Sequence, residues 1–318
     1  MNHLISVVIP THNPHPERFL KTLEGLKHQT LSSLFWELII IDNASPNKDF
    51  IYSFDISWHQ NAKIIYEERL GLTRARIAGI KATNTDHIVF VDDDNILQPD
   101  YLEKSLEILN ANPLIGALGG KSIPLYSQEP PSWFEQNKLA LGCRDFGNQI
   151  EIYIPRPNDP IKNYPKCSPI GAGMVLRKSA LLAYVTRIES CSDNLVLDRT
   201  GKSLTSGGDC DINLTILNEN WGVGYFPELV LTHLIPEFRL TKNYLARLNY
   251  ASSKSWIRVL DSHNIRPWQP IPHWSVIPRQ LKSFFSCQAW KSPSAFIEWR
   301  GTCGMFEGLA ALPMDRRL

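Results

Sequence analysis

Three consecutive carboxylates, Asp92, Asp93 and Asp94, follow the apolar run Ile88-Val89-Phe90-Val91. Adjacent negative charges repel one another unless something positive collects them. Hard oxygen ligands suit Mg²⁺ or Mn²⁺, and either ion can in turn hold phosphates. An isolated Asp triplet can equally be a solvated acidic turn, because Asp favours turns. A second acidic pair, Asp209 and Asp211, lies in Thr205-Ser206-Gly207-Gly208-Asp209-Cys210-Asp211. Both acids open a stretch that predicts a helix, so they either sit there because the macrodipole favours them or offer a base to a substrate. Arg74 and Arg76 can give charge-assisted bonds to phosphates, or can simply decorate a helix surface. His233 stands just after Leu229-Val230-Leu231, at a predicted strand terminus like the other candidates.

The elements that must position these groups follow from periodicity. Ile5 to Ile9, Leu38 to Ile41, Lys63 to Tyr66 and Ile88 to Val91 read as strands, the first, second and fourth apolar on both faces. Helices are expected between them, from about Pro16 to Gln29 and Thr73 to Ala82. Such alternation predicts a mostly parallel central sheet flanked by helices, an α/β fold. Three strands then end at one edge, with Pro10-Thr11-His12-Asn13, Asp42 and the Asp triplet at their tips. In open α/β sheets that edge is where ligands bind. No G-x-G-x-x-G or G-x-x-x-x-G-K-[ST] is present, so the dinucleotide and P-loop modes fit poorly. Further on, Pro99 is expected to open a helix to about Asn110. Ile115 to Ile123 reads as a strand with a close backbone approach at Gly119-Gly120. Pro124 to Pro169, with Pro157 and Pro160 among its prolines, has no regular pattern. Gly171 to Leu176 reads as a strand whose small first residues, Gly171 and Gly173, let a ligand approach the backbone. A helix from Asp209 to about Asn220 follows.

A chain of 318 residues with 43% hydrophobic and 20% charged residues is ordinary for a folded globular protein. The net charge of +1 supplies no overall field that would call for nucleic acid. No apolar run approaches the ~18–20 residues that span a bilayer, and a cytoplasmic protein is expected. The cysteines, Cys143, Cys167, Cys191, Cys210, Cys287 and Cys303, are dispersed without a CxxC pair, which suits reduced thiols. Beyond Pro236 three helical patterns follow one another with no second sheet. Five of the nine tryptophans fall there (Trp256, Trp268, Trp274, Trp290, Trp299), beside Arg279, Lys282, Lys291, Arg300, Arg316 and Arg317. This extension is either a plain helical cap, a peripheral contact with the inner face of a membrane, or a contact with another copy of the chain.

Taken together, these segments resemble inverting family 2 glycosyltransferases. Ser6 to Asn13, Leu38-Ile39-Ile40-Ile41-Asp42-Asn43-Ala44-Ser45, Gly71 to Ile80 and Phe90 to Asn95 follow that family's order of motifs. Gly207-Gly208-Asp209-Cys210-Asp211-Ile212 is similar to its downstream acidic motif. The resemblance implies a GT-A fold over residues 1–235, with a nucleotide-sugar half (1–123), an acceptor half (124–235) and a helical extension (236–318). It implies a nucleoside-diphosphate sugar donor, UDP first among them, and a hydroxyl of a glycan or lipid-linked acceptor. Asp42, Pro10, Thr11, His12 and Asn13 would then line the nucleotide site, joined by Arg74, Arg76, Asp92 and Asp93. Asp94 with Asp92 or Asp93, completed by His233, would hold Mn²⁺ or Mg²⁺. Asp209 would be the general base, and Gly171, Gly173 and Asp211 would face the acceptor. Gly208 departs from the Glu that the motif commonly carries. A sugar nucleotidyltransferase, or a sugar-binding module without catalysis, are the alternatives on such a fold. The first would need a Gly-rich basic loop after the first strand, and the second has no use for Asp209.

Overall fold

A computed structural model describes residues 3–156, 161–190, 204 and 206–313. Cys191, Thr205, Arg316, Arg317, Pro157 and Pro160, singled out above, lie outside the described residues. The chain divides into two compact units. One comprises Met1–Leu125, Cys143–Leu195 and Gly208–Leu234; the other comprises Tyr126–Gly142, Val196–Gly207 and Ile235–Leu318.

The first unit is built on β1 (Ile5–Thr11) and β2 (Trp36–Asn43), both buried along their whole length. Each fully buried Val, Leu or Ile there contributes about 1.5–3 kcal/mol through removal from water. β3 (Ala62–Glu67) pairs with β2, and β4 (His87–Phe90) with β1, all in parallel. The register sets Thr11 opposite Asp42 and Val8 opposite Phe90. The Val91 N–H still donates to Val8 O at 3.0 Å. The Asp triplet therefore begins where the ladder stops, at the same edge as Thr11 and Asp42.

Helix α1 (Pro16–Lys27) opens on proline and buries Phe19, Leu23 and Leu26. Helix α2 (Leu72–Ala82) packs close to the sheet at Gly79, where a Cβ would stand 2.3 Å from Val8 Cγ1. Pro99 does not open the next helix. α3 runs Tyr101–Ala111 because Gln98 to Tyr101 forms a turn, with Tyr101 N–H donating to Gln98 O at 3.0 Å.

The other strands are β5 (Asn95–Leu97), β6 (Ile115–Tyr126), β7 (Glu151–Tyr153), β8 (Val175–Arg177) and β9 (Gly222–Ile235). The sheet runs β3-β2-β1-β4-β8-β6-β9-β5, with β7 also on β9. β8 is antiparallel to β4 and β6, and β9 to β5 and β7, so the sheet is mixed, with its parallel part at the β3 end. Gly120 does meet a close backbone approach, since a Cβ there would lie 2.0 Å from Leu229 O. The strand expected from Gly171 is shorter than its pattern. Gly171 to Gly173 form a turn with Gly173 at φ +69°, and regular pairing starts at Val175. Helices α4 (Leu182–Ser190) and α5 (Gly208–Asn218) complete this unit.

The second unit is helical among its described residues. α6 (Lys242–Ser262) and α8 (Pro293–Ala310) approach closely because α8 turns Gly301, Gly304 and Gly308 toward α6. A Cβ at Gly304 would stand 2.1 Å from Tyr250 O. Ile257, Ile271, Leu309 and Ala310 form a small core that Trp268, Met305 and Phe306 extend. α7 (Val276–Ser286) lies against α8, with Trp299 Nε1–H donating to Gln280 O at 3.0 Å.

Candidate active site

The tips of β1, β2 and β4 are knitted together by short polar contacts. The Thr11 hydroxyl donates to the Asp93 carboxylate. Burial, followed by the neighbouring charge of Asp94, pushes the Asp93 carboxyl up to about 7. Asp42 is 1% exposed; its Oδ1 accepts from the Ser45 N–H at 3.3 Å, while its Oδ2 is buried with no partner among the described residues. Such an acceptor costs about 1–3 kcal/mol unless something donates to it. His12 is exposed and its Nδ1–H donates to Asn43 O at 2.7 Å, which fixes the ring beside the β2 tip. Asn13 adopts φ +48° and its N–H donates to Ser45 Oγ at 2.8 Å.

Asn43, the last residue of β2, has a scaffold role. Its Nδ2 donates to Arg69 O and Glu67 O at 2.8 and 3.2 Å, and its Oδ1 accepts from Gly71 N at 2.7 Å. It thus ties the β2 tip to the start of α2, with both ends of its amide in use.

Asp94 is buried and faces His233, with Nε2 to Oδ1 at 3.5 Å. The antiparallel pairing of Asn95 with His233 across β5 and β9 produces this meeting, and the Asn95 amide adds a bond to Asp94 Oδ1 at 3.2 Å. Asp92 is the more open carboxylate, 4.0 Å from Arg76 Nη2. Among the described residues no group of three or more His, Cys, Asp or Glu side chains is placed to hold a metal ion by itself. The hard oxygen donors at this edge are the carboxylates of Asp92 and Asp94, with His233 beside Asp94. Mg²⁺ commonly takes only one or two carboxylates from a protein and the rest of its ligands from phosphates and water, so two such groups would be enough for it.

Arg76 is not a helix-surface residue. It is 4% exposed, its Cζ is 5.3 Å from the Phe90 ring centroid, and a Cβ on Gly171 would stand 2.3 Å from its Nη2. Arg74 remains half-buried. Gly171 in turn donates its N–H to Asp209 Oδ2 at 3.2 Å, and the Cys210 N–H donates to Asp209 Oδ1 at 2.9 Å. A continuous path therefore runs Asp92, Arg76, Gly171, Asp209. Burial, with the Asp209 charge beside it, pushes the Cys210 thiol well up, so no second anion forms next to Asp209.

Chemistry expected at three other positions is taken up by the protein itself. Gly173 is closed in by Tyr101 and Leu231, and its carbonyl accepts from Tyr101 Oη at 2.6 Å. Gly171 is closed in by Arg76. Both glycines admit close approach by the protein's own side chains. Asp211 is 1% exposed and bonded to Arg187, which makes it an anchor of α5 on α4 rather than an open surface group.

Residues 6–184, more than half of the chain, match the family model for glycosyl transferase family 2. The chain belongs to this family. A glucosyl-dolichyl phosphate glucuronosyltransferase of Haloferax volcanii is 29% identical over 157 residues, covering 46% of this chain and 48% of that protein. An N-acetylglucosaminyltransferase of Bradyrhizobium diazoefficiens is 26% identical over 238 residues, covering 73% and 45%. The chain thus spans about half the length of these curated relatives. Among solved structures, S. aureus TarS 1–349 aligns at TM-score 0.50 and 14% identity over 96% of this chain and 89% of that one. The same protein in complex with UDP-GlcNAc aligns at TM-score 0.50 and 15% identity, covering 81% and 73%. The likeness gives the fold, GT-A, for this family 2 chain. The matched range carries the β1, β2 and β4 tips and the Gly171 turn, whereas Asp209 and His233 lie beyond it.

Proposed function

We propose that the chain is an inverting, metal-dependent glycosyltransferase that moves a sugar from a nucleoside-diphosphate donor to a hydroxyl acceptor. The observation that carries this reading is the path Asp92–Arg76–Gly171–Asp209, which ties the acidic strand tip to a separate carboxylate at the start of α5. The two acidic motifs then have different tasks. Asp42, with its unpartnered Oδ2, takes a donor N–H from the nucleobase, and Pro10, Thr11, His12 and Asn13 form the rest of that pocket. The TarS complex with UDP-GlcNAc makes UDP the first donor nucleotide to test. The acceptor is a hydroxyl of a glycan or of a lipid-linked sugar, the latter supported by the glucosyl-dolichyl phosphate in the name of the Haloferax relative.

Asp92 and Asp94, with His233 beside Asp94, would hold Mn²⁺ or Mg²⁺ against the diphosphate. The ion would supply charge stabilisation worth several kcal/mol to the leaving phosphate oxygens. In the transfer itself, Asp209 accepts the proton of the acceptor hydroxyl. The acceptor oxygen forms a bond to the anomeric carbon from the face opposite the diphosphate. The bond from that carbon to the diphosphate oxygen breaks, and a nucleoside diphosphate leaves with the electron pair. Gly171 N–H and Cys210 N–H orient the Asp209 carboxylate, and the neutral Cys210 thiol keeps a repelling charge away from it.

A positioned base of this kind contributes about 10²–10⁴-fold. Asp209→Asn is therefore expected to keep UDP affinity within about twofold and to lose turnover by that factor in a transfer assay with UDP-sugars. Turnover within threefold of the parent would remove Asp209 from the base role.

A further inference from the structure

One helix of the second unit is finished on one side only. α7 has no buried residue along its eleven positions, although it is amphipathic. Its inner flank is held by Gln280 and Phe284, the latter 5.0 Å from the Trp299 ring. Its outer flank carries Ile277, Leu281 and Phe285 at i, i+4 and i+8, exposed by 67%, 57% and 65%. Trp274 just before the helix is 79% exposed and Trp290 just after it 57%. Five large apolar side chains in 17 residues (274 to 290) thus stay more than half exposed, with Trp290 resting on the Phe284 and Phe285 rings. Scattered exposed apolar residues are normal, but a contiguous stripe marks an interaction surface.

The charge around the stripe decides its partner. Arg279, Lys282 and Lys291 are all exposed, and no Asp or Glu occurs from His273 to Ile297. In a chain of net charge +1 with 32 acidic residues, a run of this length beside exposed tryptophans carries cations and no acid of its own, and Glu307, which reaches Gln280 on the inner flank of α7, is paired with Lys254. A self-contact through this face would bring like charges together. An anionic lipid surface takes both features at once: Trp, Phe and Leu enter the acyl boundary, and Lys and Arg meet the headgroups. Among the described residues no helix is long and apolar enough to cross a membrane, so the contact would be one that lies on the surface.

We propose that the α7 face, from Trp274 to Trp290, is a docking surface for an anionic bilayer. It goes beyond the catalytic reading and does not depend on it. The test is flotation of the full chain, without nucleotide, on vesicles of phosphatidylcholine alone or with one-third phosphatidylglycerol. Binding is expected on the anionic vesicles at least tenfold above the neutral ones, and it should weaken as NaCl rises from 50 to 500 mM, because salt screens exposed charge. The combined variant Ile277→Ser, Leu281→Ser, Phe285→Ser should lose flotation, and so should Lys282→Glu with Lys291→Glu. Circular dichroism melts confirm that each variant is folded. No flotation of the parent chain, or equal flotation of parent and both variants, overturns the proposal. So does a dimer in light scattering that the serine variant converts to monomer while vesicle binding is absent, which would make the face a contact between copies.

Discussion

At the scale of single residues, Arg76 is the group whose surroundings say most. An arginine enclosed to 4% exposure needs partners for five N–H donors, yet the nearest carboxylate is 4.0 Å away and Nε has no acceptor among the described residues. The guanidinium is kept there by shape as well as charge, pressed between the Phe90 ring and the Gly171 backbone. Gly171 is therefore a spacing residue between that cation and Asp209. In Gly171→Ala the new methyl must displace the guanidinium or the turn that donates to Asp209. Overpacking costs about 1–3 kcal/mol, which the folded chain tolerates. A shift of about 1 Å in a reacting group can cost on the order of 10²-fold in rate. The expected result is a folded variant with kcat reduced about 10–100-fold and a smaller change in KM for the donor. An unchanged kcat would mean that Arg76 and Asp209 are independent of each other.

At the scale of elements, the second unit depends on how near α6 and α8 come. The Gly304 Cα–H faces Tyr250 O so closely that a methyl would stand 2.1 Å from it. Gly304→Ala gains about 1 kcal/mol in helix propensity but forces the two backbones apart. A net loss of about 1–2 kcal/mol is expected in urea unfolding, and a stabilised variant would show that the helices part without cost. These helices were legible because their apolar residues recur at helical spacing. The parallel strands were legible because residues such as Ile39 and Ile40 are apolar on both faces. The short β5 and β7 were not, since three residues carry no period. Nor was the length of β9, because Pro227 and the glycines Gly222 and Gly224 break its pattern. Misreading Gly171 to Gly173 as strand had a related cause: small residues look the same in a sheet and in a turn. The Asp triplet, Asp42 and Thr11 could be placed at one edge from strand order alone. The Arg187–Asp211 pair and the Asn43 anchors could not, because they depend on side-chain reach between distant segments.

At the scale of the whole molecule, a nucleotide site should reveal itself as linkage between binding and folding. A ligand that binds only the folded state stabilises it by about 2.7 kcal/mol at 100 times its Kd. For a chain of this size that raises Tm by on the order of 5 °C. UDP with Mn²⁺ is expected to give such a shift, with UDP plus EDTA giving clearly less. Asp42→Ala removes the unpartnered Oδ2 but also the acceptor of the Ser45 N–H, so its own Tm should change little while the UDP shift shrinks in both conditions. Asp94→Ala should do something different: keep the shift seen in EDTA and abolish the extra part that Mn²⁺ adds. His233→Ala should reduce that extra part by a smaller amount, because His233 meets Asp94 at 3.5 Å and would be one ligand among several. The pattern separates the roles, since a merely structural Asp94 would lower every Tm equally and leave the Mn²⁺ increment intact. Equal shifts with Mn²⁺ and with EDTA in the parent chain would remove the metal from the donor site altogether.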